Sequence, residues 1–344
     1  MNTTQPRWLI YLLFLLASVH CARSIFLVNV SLLDLPKYEA GTERMPFQGR
    51  IAMMPVLRWA HTDATMARAA AFFDASLKRT PHMLHPPEDY TAEKLVCMVL
   101  GVIAVATMTF AGVWYGRRRL GDFWWVPAVV TLAMLYVTYA ARYEMEFWYP
   151  YDLPHFAIFG IACLCFMEEA WFPALVLYIV DIPLRETSVY LVAVVLALEY
   201  GRGRWRLGLG IASAMLLAWL PLHLWISVHY AHNPSDTGIS PLAIKRALLN
   251  PLHWPQIASA FGYLLVPLVL GRRFLTRDMR YLLWGALPCL VVTLLFGIWY
   301  ETRIWNEWIV PAAAMLGMEA MRWVESLRGE KSTGRESGAR QSPA

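Results

Sequence analysis

Apolar residues in this chain gather into blocks of 14 to 26, separated by short clusters of Arg, Glu and Asp. About 20 such residues cross a bilayer as a helix. The blocks fall at 8–33, 92–115, 123–141, 154–168, 170–185, 187–200, 205–228, 255–270, 281–299 and 305–323. The pattern therefore predicts an all-α, polytopic transmembrane bundle of about ten spans. The fourth to sixth spans and the eighth are short, as expected of tilted, broken or partly re-entrant helices. The first block follows Arg7 and resembles a signal peptide, but it lacks a convincing small-residue cleavage site and resumes from Ile25 to Leu33. It is read as a retained span.

The one large extramembrane segment is the first loop, 34–91. Within it Met66, Ala69, Ala70, Phe73 and Leu77 recur at helical spacing, with Arg68 and Asp74 on the opposite side. This predicts amphipathic helices lying on the interface. Residues 1–324 form a single transmembrane domain. Residues 325–344, charged, rich in Gly and Ser and without aromatics, are expected to be a disordered cytoplasmic tail.

Orientation follows from the basic residues of the short loops. One set of alternate segments carries sixteen: Arg7, Arg117–Arg119, Arg202, Arg204, Arg206, Arg272, Arg273, Arg277, Arg280, and Arg322, Arg328, Lys331, Arg335 and Arg340 in the tail. The other set carries five: Arg142, Arg185, Lys245, Arg246 and Arg303. Both termini are thus expected in the cytoplasm, in a multi-pass protein of a bacterial inner (plasma) membrane.

Composition agrees. The 344 residues are 58% hydrophobic and 16% charged, against about 25% charged in soluble domains. This excludes disorder, a disulfide scaffold and an ordinary soluble enzyme. The net charge of +5 comes from residues flanking membrane spans, so nucleic acid is not an expected partner. All five cysteines fall in apolar blocks and read as packing thiols. No Asp-X-Asp pair and no three or four ligands at shaped spacing occur, so neither a metal nor another cofactor is expected.

Candidate chemistry collects on the outer side in four clusters. The first runs from Asp34 through Glu39 and Glu43 to Arg50; the second holds Arg142, Glu144, Asp152 and His155. The third is Asp181, Arg185, Glu186 and Thr187, and the fourth Glu301, Arg303, Asn306 and Glu307. Arg185, Glu186 and Glu301 stand tight against apolar segments, where an unpaired charge is costly. Carboxylates, arginines and aromatics at one membrane surface suit glycosyl transfer from a lipid-phosphate-linked sugar. A carboxylate takes the proton of the acceptor hydroxyl, and arginine grips the departing phosphate. No phosphate-binding glycine loop and no Ser nucleophile motif are visible.

The layout resembles the GT-C superfamily of membrane glycosyltransferases, which use polyprenyl-phosphate sugars. Asp34, just after the first span, stands where that family has its catalytic acid. The stretch Pro46-Phe47-Gln48-Gly49-Arg50-Ile51-Ala52-Met53-Met54-Pro55 is similar to an Arg-plus-Pro segment of bacterial members. Tyr300-Glu301-Thr302-Arg303 with Pro311 is similar to a late acid-Arg element, and Arg185-Glu186-Thr187 to a segment of related polytopic proteins. One departure is that Asp34 stands alone where many members pair two acids. The resemblance implies Asp34, or second Glu39, as base. Arg50, Arg142, Glu144, Asp152, His155, Arg185, Glu186, Glu301 and Arg303 are the candidates for holding phosphate and substrate. From their shared side and tight flanking by apolar spans, Asp34, Glu144, Asp152, Arg185, Glu186, Glu301 and Arg303 are expected around one outward-opening cavity. The implied partners are a lipid-linked sugar donor, a glycan, lipid or protein acceptor, and membrane lipids. The alternative is a transporter, flippase or polymerase of lipid-linked polysaccharide. Its ionisable groups belong near the bilayer midplane, whereas here they gather at one face.

The sixteen-to-five division sets a test of topology. A cysteine at Ser235 should react with an impermeant maleimide on intact cells, and one at Ser337 only after permeabilisation; labelling at both or at neither would refute this orientation.

Overall fold

The computed structural model describes residues 7–79, 89–139, 147–235, 251, 263–296 and 302–339. These form thirteen α-helices and one two-residue parallel strand pair. Four helical stretches are long and apolar enough to cross a membrane: Trp8–Val28, Ala92–Arg119, Gly121–Tyr139 and Trp205–His229. The all-α class and the membrane-spanning character expected from the pattern are met at this level.

The first helix, α1 (Arg7–Val28), ends five residues before the apolar block does. Asn29 is the reason. Its side-chain amide donates to the Ile25 carbonyl at 2.9 Å and across to the Tyr139 carbonyl at 3.0 Å, closing the helix with a polar clasp. Val30–Ser31 then pairs in parallel with Phe147–Trp148, Val30 opposite Phe147. The long loop follows as α2 (Leu35–Ala40), two 3-10 turns (Phe47–Gly49 and Ile51–Met53), α3 (Met54–Thr62) and α4 (Ala64–Lys78). Helices thus lie where amphipathic periodicity expects them. Asp63 starts α4 by accepting from the Thr65 and Met66 amides, both at 2.9 Å.

Thr91 caps α5 (Ala92–Arg119), whose 28 residues extend about 42 Å. It ends on Arg117, Arg118 and Arg119. A 3-10 turn (Gly121–Phe123) leads into α6 (Val126–Tyr139). The two helices approach closely through Gly112 and Gly116. A Cβ on Gly112 would stand 2.9 Å from the Ala128 nitrogen, and one on Gly116 2.7 Å from the Trp124 carbonyl carbon. Small residues four apart permit this contact.

The centre of the bundle is α7 (Asp152–Met167), packed against α5 and against α8 (Trp171–Asp181), α9 (Tyr190–Gly201) and α13 (Ile309–Ala339). It is apolar all round and buried on nearly every side, as an interior helix must be. With 16, 11 and 12 residues, α7, α8 and α9 fall at the short apolar blocks of the sequence pattern. Then come α10 (Trp205–His229), α11 (Leu265–Leu270) and α12 (Arg277–Phe296), which packs on α9. Much of the eighth apolar block lies outside the described residues. The last helix runs to Ala339, past residue 324 where the composition marks a tail. Trp8, Leu13 and Leu16 of α1, and Leu217, Leu224 and Val228 of α10, stand exposed, an apolar surface suited to lipid.

One end of the bundle is tied by arginines. Arg118 and Arg119 grip Glu168 at 2.9 and 2.6 Å. Arg202 holds Glu199 and Asp278 at 2.8 and 2.6 Å, and Arg204 holds Glu199 and Glu169 at 2.7 and 3.0 Å. Arg119, Arg202 and Arg204 all belong to the sixteen basic residues that the loop pattern assigns to one side.

Gly116→Ala should lower the midpoint of thermal unfolding in detergent, since overpacking against fixed backbone costs about 1–3 kcal/mol. Gly210→Ala, where a Cβ meets nothing within 4 Å, should leave it unchanged or raised.

Candidate functional site

At the other end, the segment following α8 meets the turns of the long loop. Pro183 removes the amide that would continue α8, and its carbonyl accepts from the Ala52 amide at 3.1 Å. Arg185 is therefore extended backbone, and a 3-10 turn (Glu186–Val189) leads into α9. This docking brings Arg50 and Glu186, 136 residues apart, into a two-pronged ion pair. Nε meets Oε2 at 2.9 Å and Nη2 meets Oε1 at 2.6 Å. Arg50 Nη1 donates to the Tyr151 hydroxyl at 3.0 Å, and the guanidinium lies 4.8 Å from that ring's centre. The Tyr38 hydroxyl donates to the Arg50 carbonyl, fixing the backbone beneath it. Phe47 stacks on Tyr149 at 5.2 Å and Tyr149 on Tyr151 at 5.7 Å.

Behind this pair lies a second, fully buried layer. His155, in the first turn of α7, has Nδ1 at 2.7 Å from Asp181 and Nε2 at 3.2 Å from Glu307. A ring facing carboxylates at both nitrogens donates to both only as the cation. Thr187 Oγ1 lies 3.2 Å from His155 Nε2 but donates to Glu307 at 2.5 Å. Thr187, His155 and Asp181 thus have the outline of a hydroxyl-histidine-acid relay, yet the hydroxyl proton points to Glu307. The arrangement does not activate a nucleophile. Arg185 completes the layer, its Nη1 3.6 Å from Asp152 and 3.4 Å from Glu307. Among the described residues Arg185 Nε and Nη1 find no hydrogen-bond partner, although both atoms are buried.

Arg50, Asp152, His155, Arg185 and Glu186 are thus brought together as the sequence expects. Among the described residues they are packed closely rather than spread around an opening. Arg50 and Arg185 are 6% exposed, and Asp152 and His155 no more than 1%. Each charge sits against an opposite one, and the aromatic stack covers the remainder. Cavities of about 530, 700 and 400 Å³ lie elsewhere, and none of the three is lined by these residues. Glu186, with 39% of its side chain exposed, is the cluster's contact with the outside. Burial pushes its pKa up, but the charge and hydrogen bonds of Arg50 outweigh this and hold it at about 2.

Asp34 is placed differently from its expected role. It is the N-cap of α2, accepting from the Lys37 amide at 3.2 Å and pairing with the Lys37 ammonium at 2.8 Å. Those two bonds, side chain first, lower its pKa. An exposed, hydrogen-bonded carboxylate of lowered pKa is a weak general base. Glu39 faces His61 and Glu93 instead, and burial, then the charge of Glu93, raises its pKa. Arg142, Glu144 and Glu301 lie outside the described residues, as does the side chain of Arg303, whose backbone belongs to a 3-10 helix (Thr302–Trp308). Asp181 and Glu307, counted in the third and fourth outer clusters but not among the candidate substrate contacts, are members of this site. Both are acids inside apolar blocks, and that costly placement was the available signal.

Compared with protein families, characterised proteins and solved structures, the chain matches none.

The Arg50–Glu186 pair sets a pH test. A carboxylate of lowered pKa stabilises the fold above its unfolded value, near 4.5, and loses that contribution as pH falls toward 2. Glu186→Gln should therefore be less stable than the wild type above about pH 5, and the two unfolding curves should converge on acidification. A gap that stays constant with pH would count against the pair.

Proposed function

We propose that the chain is a membrane glycosyltransferase that moves a sugar from a polyprenyl-phosphate carrier to an acceptor hydroxyl at the outer face of the membrane. What carries the reading is Arg185: two buried guanidinium N–H positions without hydrogen-bond partners, 3.6 Å from Asp152. A planar cation with uncommitted donors beside a carboxylate supplies both halves of the transfer. The arginine meets the charge that builds on the phosphate, and the carboxylate meets the hydroxyl proton.

In the reaction, the acceptor oxygen attacks the anomeric carbon and the bond to the phosphate oxygen breaks. The bonding pair leaves with the phosphate, and the proton passes to the carboxylate. Direct displacement inverts the anomeric centre. The reading assigns the proton to Asp152 rather than to Asp34 or Glu39, because Asp152 shares a layer with Arg185 while Asp34 caps a helix. Arg50 and Glu186 form the entrance, and their pair must part to admit a substrate. An incoming phosphate would compete with Glu186 for Arg50, offering the same two-pronged geometry.

The test is a transfer assay with the purified protein and a panel of polyprenyl-phosphate sugars. Asp152→Asn should lower kcat by about 10²–10⁴-fold. Arg185→Lys should impair it as well, since an ammonium lacks the planar fork. Asp34→Asn should stay near the wild-type rate. Wild-type rates for both Asp152→Asn and Arg185→Lys would overturn the assignment. Translocation of a lipid-linked sugar in liposomes without any transfer would replace the reading with a transporter.

A further inference from the structure

We propose that Glu39, His61 and Glu93 form a binding site for a first-row divalent metal ion of the Zn²⁺ class, which pins the long loop to the start of α5. The three come from separate elements: Glu39 from α2, His61 from the last turn of α3, and Glu93 from the first turn of α5. One ligand atom from each lies within 4.8 Å of the other two. His61 Nδ1 is 2.6 Å from Glu93 Oε1 and 3.8 Å from Glu39 Oε2. Ligands about 2.0–2.1 Å from a tetrahedral zinc stand about 3.3 Å apart, so the two separations straddle what an ion needs.

His61 bonds to Glu93 at 2.6 Å and leaves Glu39 the less well served of two carboxylates that converge on one imidazole, both only 11% exposed. Among the described residues Glu39 Oε1 is buried without a hydrogen-bond partner. Arg58 Nε donates at 2.6 Å to the Glu39 backbone carbonyl rather than to its carboxylate. The N-terminus of α5 favours an acid at Glu93 but does nothing for Glu39. Two carboxylate oxygens and one imidazole nitrogen are a donor set for zinc, nickel or copper(II) rather than for calcium or magnesium. His61 is 60% exposed, so a fourth position faces solvent and takes water.

An ion here would do more than join three helices. Glu39 adjoins Tyr38, whose hydroxyl holds the Arg50 backbone. The site would therefore fix the loop that carries Arg50, whatever reaction the protein performs. This inference does not rest on the proposed transferase activity.

The experiment uses the untagged full-length protein in detergent, stripped with chelator and titrated with Zn²⁺, with bound metal counted by mass spectrometry. One equivalent is expected, together with a rise in the unfolding midpoint. His61→Ala and Glu39→Gln should each weaken binding by more than the roughly 10–100-fold that loss of an outer-shell partner costs. His229→Ala should change nothing. Binding that is absent, or unaltered in both ligand variants, overturns the proposal. Should the variants fail to fold, X-ray absorption of the zinc-loaded wild type decides. One imidazole with oxygen neighbours supports the site; sulfur, or two or more imidazoles, overturns it.

Discussion

Arg50 and Glu186 meet where a loop from outside the bundle presses onto the turn between two short helices. Their two-pronged contact at 2.6 and 2.9 Å is the hinge of the upper structure. Remove either partner and the other is left with only the more distant charge of Asp152 or Arg185. Glu186 keeps 39% of its side chain exposed, so solvent screening leaves the loss well below that of a fully buried pair. The loop's turns, the extended backbone at Arg185 and the aromatic stack are all consistent with this one contact. A protein seeking only stability would fill the position with apolar side chains.

The second layer shows how such an exchange is bounded. His155, Asp181 and Glu307 satisfy one another almost completely, and Thr187 spends its proton on Glu307. These groups anchor α7, α8 and the start of α13 to each other. Arg185 is different, because its contacts to Asp152 and Glu307 at 3.6 and 3.4 Å are ion pairs without hydrogen bonds. Within one cluster, then, the histidine meets a carboxylate at each nitrogen, while Asp181 Oδ2 and Arg185 Nε and Nη1 are buried without hydrogen-bond partners among the described residues.

Sequence pattern made much of this legible and hid a specific remainder. Apolar blocks marked the helices because burial against lipid or protein requires runs of that length, and the short blocks at 154–200 became the short helices α7, α8 and α9. Arg185 and Glu186 stood out because charge beside an apolar segment demands a partner. Which partner was not legible, since Arg50 is 136 residues away and no local spacing encodes the meeting. Asp34 is the opposite case, because its structural part is legible locally. The run Asp34-Leu35-Pro36, closed by Gly41 in the left-handed region at φ 83°, is a local helix start and stop. Position just after the first span drew attention to chemistry while the cap signal lay in plain view. Glu39, His61 and Glu93 lie 22 and 32 residues apart, beyond any short metal motif, and only the fold of the loop joins them.

The two charged ends also bear on how so short a helix can lie at the centre of a membrane bundle. Helix α7 has Asp152 and His155 at one end and is followed by Glu168 and Glu169 at the other; α9 runs from just beyond Glu186 to Glu199. Sixteen residues of α-helix extend about 24 Å, less than the roughly 30 Å of a hydrocarbon core. If α7 faced lipid, the polar groups at its ends would be drawn inside the hydrocarbon. It does not face lipid, because α5, α8, α9 and α13 surround it, and its acids are gripped by arginines at both ends. The longer helices α1, α5 and α10 present the exposed apolar surface, and α5 alone extends about 42 Å. The helices packed around α7 differ widely in length: α8 and α9, with 11 and 12 residues, are shorter than α7, and α5 and α13, with 28 and 31, are longer. Arg50, Asp152, His155 and Arg185 are buried within this bundle, and Glu186, with 39% of its side chain exposed, joins them to the outside.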